Sequence, residues 1–209
     1  MATTDTIAMA TADTAVPGAD KADDRATAER LVREQFRVIE TGDAALAAAN
    51  MTDGYVNHQA GHEPLAARGR GPEALLATGA WLRRAFSEVS FEVHRVELVG
   101  DRATAWVTMR GRHTGPFVRH DSPDGAVTDV FPPTGLAFAS RQVHWFTIEG
   151  EAVSEHDAVR DDLGMARQAG WIPPSPSYVV QMKLARRRAQ RIQRRDERRA
   201  EQPGEGGAR

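Results

Sequence analysis

The chain predicts an α+β fold in which a curved antiparallel sheet, covered by three helices, encloses a cone-shaped pocket. Three observations carry this reading. Helical periodicity fills residues 23–50 and returns after Gly71-Pro72. Alternating, β-rich segments fill 90–113 and 135–158. Turn residues separate those segments at Gly100-Asp101 and Glu149-Gly150, so the strands follow one another as a meander.

In the first helix, from Asp23, the residues Leu31, Val32, Gln35, Phe36, Val38 and Ile39 recur on one face with charges opposite. Thr41-Gly42-Asp43 stops it, and Asp43 caps a second helix that runs to Asn50. Residues 51–70 read as a polar loop. The third helix opens with Pro72 at its first position and turns Leu75, Leu76, Ala80 or Trp81, and Phe86 inward. Four antiparallel strands are expected at 90–99, 103–113, 135–148 and 151–158. The connection 115–135, rich in Pro, Asp and Gly, is long enough to be either disordered or a lid over a site. A short helix over 161–170 follows, for which Asp161 is the natural N-cap. The expected organisation is a disordered segment 1–22, a domain 23–172, and a Pro-linked, Arg-rich tail 173–209 that turns helical after Pro176 with a faint apolar stripe of Met182, Ala185, Ala189 and Ile192.

Composition narrows the function. There are no cysteines among the 209 residues, which excludes a disulfide scaffold, a thiol nucleophile and a thiolate metal site. No apolar run approaches the roughly 18 residues that span a bilayer, so no membrane role is expected. The first residues lack the positive and apolar stretches of a secretory signal, and the expected location is the cytoplasm. The net charge of −2 hides an asymmetry: residues 183–199 hold nine basic side chains against two acidic ones, leaving the body acidic. Nucleic acid is therefore not an expected partner except through the tail, where no aromatics interleave with the arginines.

Strand parity locates the candidate site. On 136–148 the residues Leu136, Phe138, Ser140, Gln142, His144, Phe146 and Ile148 share one side, apolar at the ends and polar in the middle. On 103–113 the matching side holds Ala103, Ala105, Val107, Met109, Gly111 and His113. On the last strand His156 lies opposite in parity to Glu155 and Asp157. Polar groups on an otherwise apolar face need partners or a ligand. Such a set suits proton transfer on a small hydrophobic molecule. His113, His144, His156 and Asp157 could in principle form a two-His-one-carboxylate site, but no HxD or HExxH pattern supports it, and no metal or cofactor is expected. There is no phosphate-binding glycine loop after a strand, and the serines lack a nucleophile-elbow context.

At these residues the chain resembles the SnoaL-like polyketide cyclases, or ester cyclase-like proteins, of the nuclear transport factor two-like superfamily. The landmarks are Thr41-Gly42-Asp43, Tyr55-Val-Asn57, Gly71-Pro72-Glu73, Trp81 through Glu88, Gly111 through Gly115, Pro132 through Gly135, Gln142-Val-His144 and Asp161 through Gly170. The resemblance implies an intramolecular aldol ring closure without cofactor, in which an aspartate on the last strand moves the proton. It implies that Gln142, His144 and Asn57 line the pocket and that His156 stands beside the acid. Here the chain departs from the pattern: Ala158 occupies the acid's position and Asp157 precedes it. The expected catalytic residues are Asp157, His144 and His156, with Asp161 as an alternative acid. Gln142, Asn57, Tyr55, His113, Trp81, Phe146 and Met109 are the expected substrate contacts. Epoxide opening, pyran formation, hydroxylation or simple binding in the same pocket are the alternatives, and a homodimer is the expected assembly.

Overall fold

The computed structural model describes residues 19–200. Residues 1–18 of the N-terminal segment expected to be disordered lie outside the described residues, as do 201–209, while residues 19–22 belong to the first helix. That helix, α1 (Ala19–Thr41), buries the predicted stripe together with Ala28. Burying aliphatic or aromatic side chains of this size contributes about 1.5–3 kcal/mol each. The helix stops where Gly42, at φ +76°, bonds its N–H back to Val38 O, a left-handed cap that disfavours any side chain. Asp43 then caps α2 (Ala44–Asn50) by accepting the Leu46 N–H at 3.0 Å.

The segment read as a polar loop contains a strand, β1 (Met51–Asn57), followed by two 3₁₀ turns at Ala60–His62 and Leu65–Arg68. β1 is irregular, interrupted by Asp53-Gly54, and it pairs in parallel with the last strand, about a hundred residues away. Such an edge strand is made by its partner rather than by its own residues. Helix α3 (Pro72–Ala85) buries Leu75 and Thr78, leaves Ala80 exposed, and carries Trp81 toward the cavity described below.

The predicted strands follow as β2 (Phe86–Val99), β3 (Arg102–His113), β6 (Ala137–Glu149) and β7 (Ala152–Arg160). With β1 the sheet has five strands in the order β1-β7-β6-β3-β2, not the four of a simple meander. Between β3 and β6 the long connection is ordered and folds into a two-stranded flap of β4 (Phe117–Arg119) and β5 (Asp129–Phe131). Its hinge includes Gly115, whose N–H bonds Ala85 O; a Cβ there would come within 1.9 Å of Arg84 O. Trp81 Nε1 donates to Val118 O at 2.7 Å, and Arg68 Nη1 donates to Ser122 O at 2.8 Å, so α3 and the second 3₁₀ turn hold the flap down.

Helix α4 (Asp162–Gln168) is capped by Asp161, which accepts the Gly164 N–H at 2.7 Å. Helix α5 (Pro176–Ala200) is not only solvated. Tyr178 Oη donates to Pro132 O at 2.8 Å, and Gln190 and Gln193 bond the flap backbone at Gly125 and Val127. Tyr178 is buried and Met182, Ala185 and Ala189 are half-buried, whereas Ile192 of the expected stripe is exposed. Two apolar clusters result. One joins α1, α3 and the sheet around Leu31, Phe36, Leu75 and Phe146; the other gathers Phe86, Phe117, Phe138, Trp171 and Tyr178 beneath the flap. No helix among the described residues is long and apolar enough to cross a membrane.

Candidate active site

Between α3, the sheet and the flap lies a cavity of about 250 Å³. The register of the sheet aligns its floor. His156 pairs with Phe146, Ala158 with His144, and Arg160 with Gln142, so His156, Ala158 and Arg160 alternate down one side of β7 beside His144 and Gln142 of β6. Gln142, His144 and His156 are buried and face the cavity, as parity requires. Asn57 joins them from β1, where it pairs with His156.

These side chains form one hydrogen-bonded chain. Gln142 Oε1 lies 2.8 Å from His144 Nε2, and His144 Nδ1 lies 2.8 Å from His156 Nε2. His156 Nδ1 lies 3.1 Å from Asn57 Oδ1. Asn57 Nδ2 donates to Thr78 Oγ1 at 3.5 Å, and Thr78 Oγ1 donates to Glu63 Oε2 at 2.5 Å. One donor sets the direction of the whole. The Gln59 backbone N–H, 3.0 Å from Asn57 Oδ1, can only donate, so that oxygen is an acceptor and His156 Nδ1 carries a proton. With neutral rings, His144 Nδ1–H then donates to His156 Nε2, and His144 Nε2 is left with a lone pair. Two acceptors cannot face each other, so the Gln142 amide turns its NH₂ to His144. The turn costs little, because the other end of the amide meets only Met109 Sδ, at 3.6 Å. From His144 onward every donor points toward the Glu63 carboxylate.

Burial sets the charges. It pushes the imidazoles of His144 and His156 below the ordinary histidine range, and the Arg160 guanidinium adds to the effect in both. Glu63 is 2% exposed, and burial pushes its carboxyl up to about 7. The Thr78 hydroxyl and the charges of Arg160 and Arg68 act in the other direction and hold it from rising further. Among the described residues no group of three or more His, Asp or Glu is placed to hold a metal ion.

The walls are aromatic. Trp171 stacks on Phe131 at 4.5 Å and on Phe117 at 5.0 Å, and Phe117 stacks on Phe86 at 5.4 Å. Trp81 leans on Phe117 at 4.8 Å. At the rim Arg119 bonds Asp121 Oδ1 at 3.0 Å, and His62 bonds the same carboxylate.

Of the residues singled out from sequence, Gln142, His144, His156, Asn57, Trp81 and Met109 line the cavity. Phe146 lies behind them, stacked on His156 at 5.0 Å. Tyr55 is buried in the core beside Glu63 and outside the cavity lining. His113 is buried too, but it accepts the Trp171 indole N–H at 3.1 Å and supports the wall from behind. Asp161 is occupied as a helix cap. Asp157 is on the wrong face: it is exposed, accepts the Gln59 side-chain N–H at 2.7 Å, and borders a groove on the outer side of the sheet.

Among the cavity residues that escaped the sequence reading, three bear on the polar floor. Arg160 has the parity of His156 and could have been found by extending the last strand two residues. Thr78 lies one turn beyond Leu75 on the buried side of α3, a helical spacing that was also legible. Glu63 sits between two 3₁₀ turns, where no periodicity distinguishes a buried acid from a solvated one.

A family model for SnoaL-like polyketide cyclases matches residues 29–169. The aklanonic acid methyl ester cyclase DauD of Streptomyces sp. (strain C5) is 32% identical over 151 residues, covering 70% of this chain and 83% of that protein. The aklanonic acid methyl ester cyclase DnrD of Streptomyces peucetius is 32% identical over 151 residues, covering 70% of this chain and 92% of that protein. Among solved structures, TsrD from Streptomyces laurentii aligns with a TM-score of 0.56 at 23% identity, over 70% of this chain and 96% of that one. Wild-type IdmH from Streptomyces antibioticus aligns with a TM-score of 0.51 at 18% identity, over 68% of this chain and 98% of that one.

Proposed function

This chain belongs to the SnoaL-like polyketide cyclase family, and from that premise we propose that it closes a ring in an aromatic polyketide methyl ester by an intramolecular aldol reaction. The observation that carries the reading is the polar chain from Gln142 to Glu63 on the floor of an otherwise aromatic cavity. The names of the relatives support an ester of the aklanonic acid methyl ester type as substrate. Trp171, stacked on both Phe117 and Phe131, offers a broad aromatic surface that suits a flat fused-ring portion, and stacking against it folds the flexible arm toward the floor.

The reaction needs a base for the acidic proton between two carbonyls, and donors for the oxygen on which the enolate charge grows. Arg160 and Gln142, neighbours across β6 and β7, supply donors. Among the described residues Arg160 makes one ion pair, with Asp162 at 3.6 Å, and its charge also acts on Glu63, so guanidinium N–H groups are left for a ligand. Fixed donors in a dry site stabilise a developing oxyanion far more than in water. His144 and His156, both neutral, orient Gln142 and Asn57.

The test is incubation of the purified protein with aklanonic acid methyl ester. Ring closure by aldol addition conserves mass, so an isobaric product with one more ring is expected. Tight binding with no isobaric product overturns the reading in favour of a binding protein.

A further inference from the structure

We infer that Glu63, reaching in from the loop between the two 3₁₀ turns, is the general base of this site in place of an acid on the last strand. The inference rests on the ring-closing function proposed above and identifies the residue that performs its first step. Ala158 is the inward-facing residue of β7 between His156 and Arg160, and its methyl group gives that side of the floor no proton acceptor. The acids next to it in sequence serve elsewhere: Asp157 faces outward and Asp161 caps α4. Among the described residues that line the cavity only two carry carboxylates, Glu63 and Asp162. Asp162 is 65% exposed and faces Arg160. Glu63 is the buried one.

Its surroundings are built. Thr78 of α3 donates to one carboxylate oxygen, Arg68 Nε holds the residue's backbone oxygen at 2.9 Å, and the donors of the floor converge on it through Asn57. The groups that face it are Tyr55 from β1, Arg68 from the second 3₁₀ turn, Thr78 from α3 and Arg160 from β7. Burial acting against these donors leaves a carboxylate that takes a proton near neutrality and returns it. Asn57 stands between the imidazoles and Thr78, and an amide does not pass a proton readily. The histidines therefore orient the chain, while Glu63 exchanges the proton with substrate directly.

The step balances without any other reagent. A Glu63 carboxylate oxygen takes the proton from the carbon between two carbonyls. The C–H electron pair becomes the enolate, whose oxygen is held by Arg160 and Gln142. The enolate carbon attacks the distant ketone carbon, a C–C bond forms, and the ketone π pair becomes an alkoxide. The proton on Glu63 moves to that alkoxide, giving a hydroxyl and regenerating the carboxylate.

The experiment compares wild type, Glu63→Gln, and the double variant Glu63→Gln with Ala158→Asp, using aklanonic acid methyl ester. Glutamine is nearly isosteric and still accepts the Thr78 hydroxyl. Its expected effect is a 10²–10⁴-fold fall in kcat with KM within a few-fold. Restoring an acid at 158, on the same floor, is expected to recover at least tenfold. In wild type, kcat/KM is expected to rise with pH through a midpoint near 7, a limb absent from Glu63→Gln. Wild type that closes the ring while Glu63→Gln stays within fivefold of it overturns the inference and leaves the proposed function standing. A flat wild-type profile between pH 5 and 9 also overturns it, and needs no folded variant. An inert wild type sinks both.

Discussion

His156 and Asp157, adjacent in the chain, stand on opposite faces of β7. The imidazole bonds His144 and Asn57 inside the cavity, while the carboxylate bonds Gln59 Nε2 on the exposed side of the sheet. Alternation allows nothing else, and the irregularity in the β6–β7 pairing falls earlier, between Thr147 and Ile148, so no bulge turns Asp157 inward. Asp157→Ala is therefore expected to leave kcat/KM for a polyketide ester within about twofold of wild type. A loss near the 10²-fold typical of a deleted acid–base group would place Asp157 in the reaction after all.

Legibility in the sequence followed locality. The α1 stripe, the Asp43 and Asp161 caps, and the inward side of β6 rest on spacing within one segment, and each stands where the spacing puts it. β1 was read as a loop because what makes it a strand is β7, far along the chain. Glu63 was hidden for a related reason: the groups around it come from β1, the second 3₁₀ turn, α3 and β7, and no spacing within one segment links them to it. Tyr55 was picked from the segment read as a loop and from the family landmark Tyr55-Val-Asn57, whereas His113 failed for a reason of parity. A polar side chain on the inner side of a strand can serve the core as readily as the cavity, and parity does not separate the two.

The direction of the hydrogen-bonded floor makes a spectroscopic prediction. Both His144 and His156 are expected to be neutral with the proton on Nδ1, the first donating to His156 Nε2 and the second to Asn57 Oδ1. Two-bond ¹H–¹⁵N correlations of the rings distinguish this tautomer from its alternative. Asn57→Leu removes the acceptor and leaves a buried donor unpaired. It is expected to cost about 1–3 kcal/mol in urea unfolding and to release the His156 tautomer. Rings that are already Nε2-protonated in wild type would contradict the direction deduced from the Gln59 N–H.

Helix α5 is expected to act as a clasp on the flap. Gln193 Oε1 accepts the Val127 N–H at 3.0 Å and its Nε2 donates to Gly125 O at 3.1 Å, while Gln190 Nε2 donates to Val127 O at 2.9 Å. Each bond contributes about 1 kcal/mol net. Replacing both glutamines by alanine is expected to speed hydrogen exchange at the Val127 amide by at least tenfold while leaving exchange in β3 and β6 unchanged. Unaltered exchange at Val127 would mean that the two glutamines do not hold the flap.

The buried groups also fix how stability depends on pH. His144 and His156 have folded pKa values below the unfolded value of about 6.5. As pH falls below that value the unfolded chain takes up two protons that the folded protein refuses, and stability is lost. Glu63 acts with the opposite sign. Its folded pKa is about 7 against an ordinary 4.5, so between those values the folded protein holds one proton more and gains stability as pH falls. From about pH 6 to pH 5 these three groups leave a net difference of one proton, a loss on the order of 1.4 kcal/mol per pH unit. Glu63→Gln removes the opposing contribution. The variant is expected to lose stability about twice as steeply over that interval, yet to exceed wild type by on the order of 3 kcal/mol above pH 7, where wild type must bury a charge. Urea unfolding at pH 5, 6 and 8 reads both effects. Parallel curves for the two proteins would show that Glu63 carries no burial penalty, and a carboxylate so comfortably ionised would be too weak a base for the proton it is asked to take.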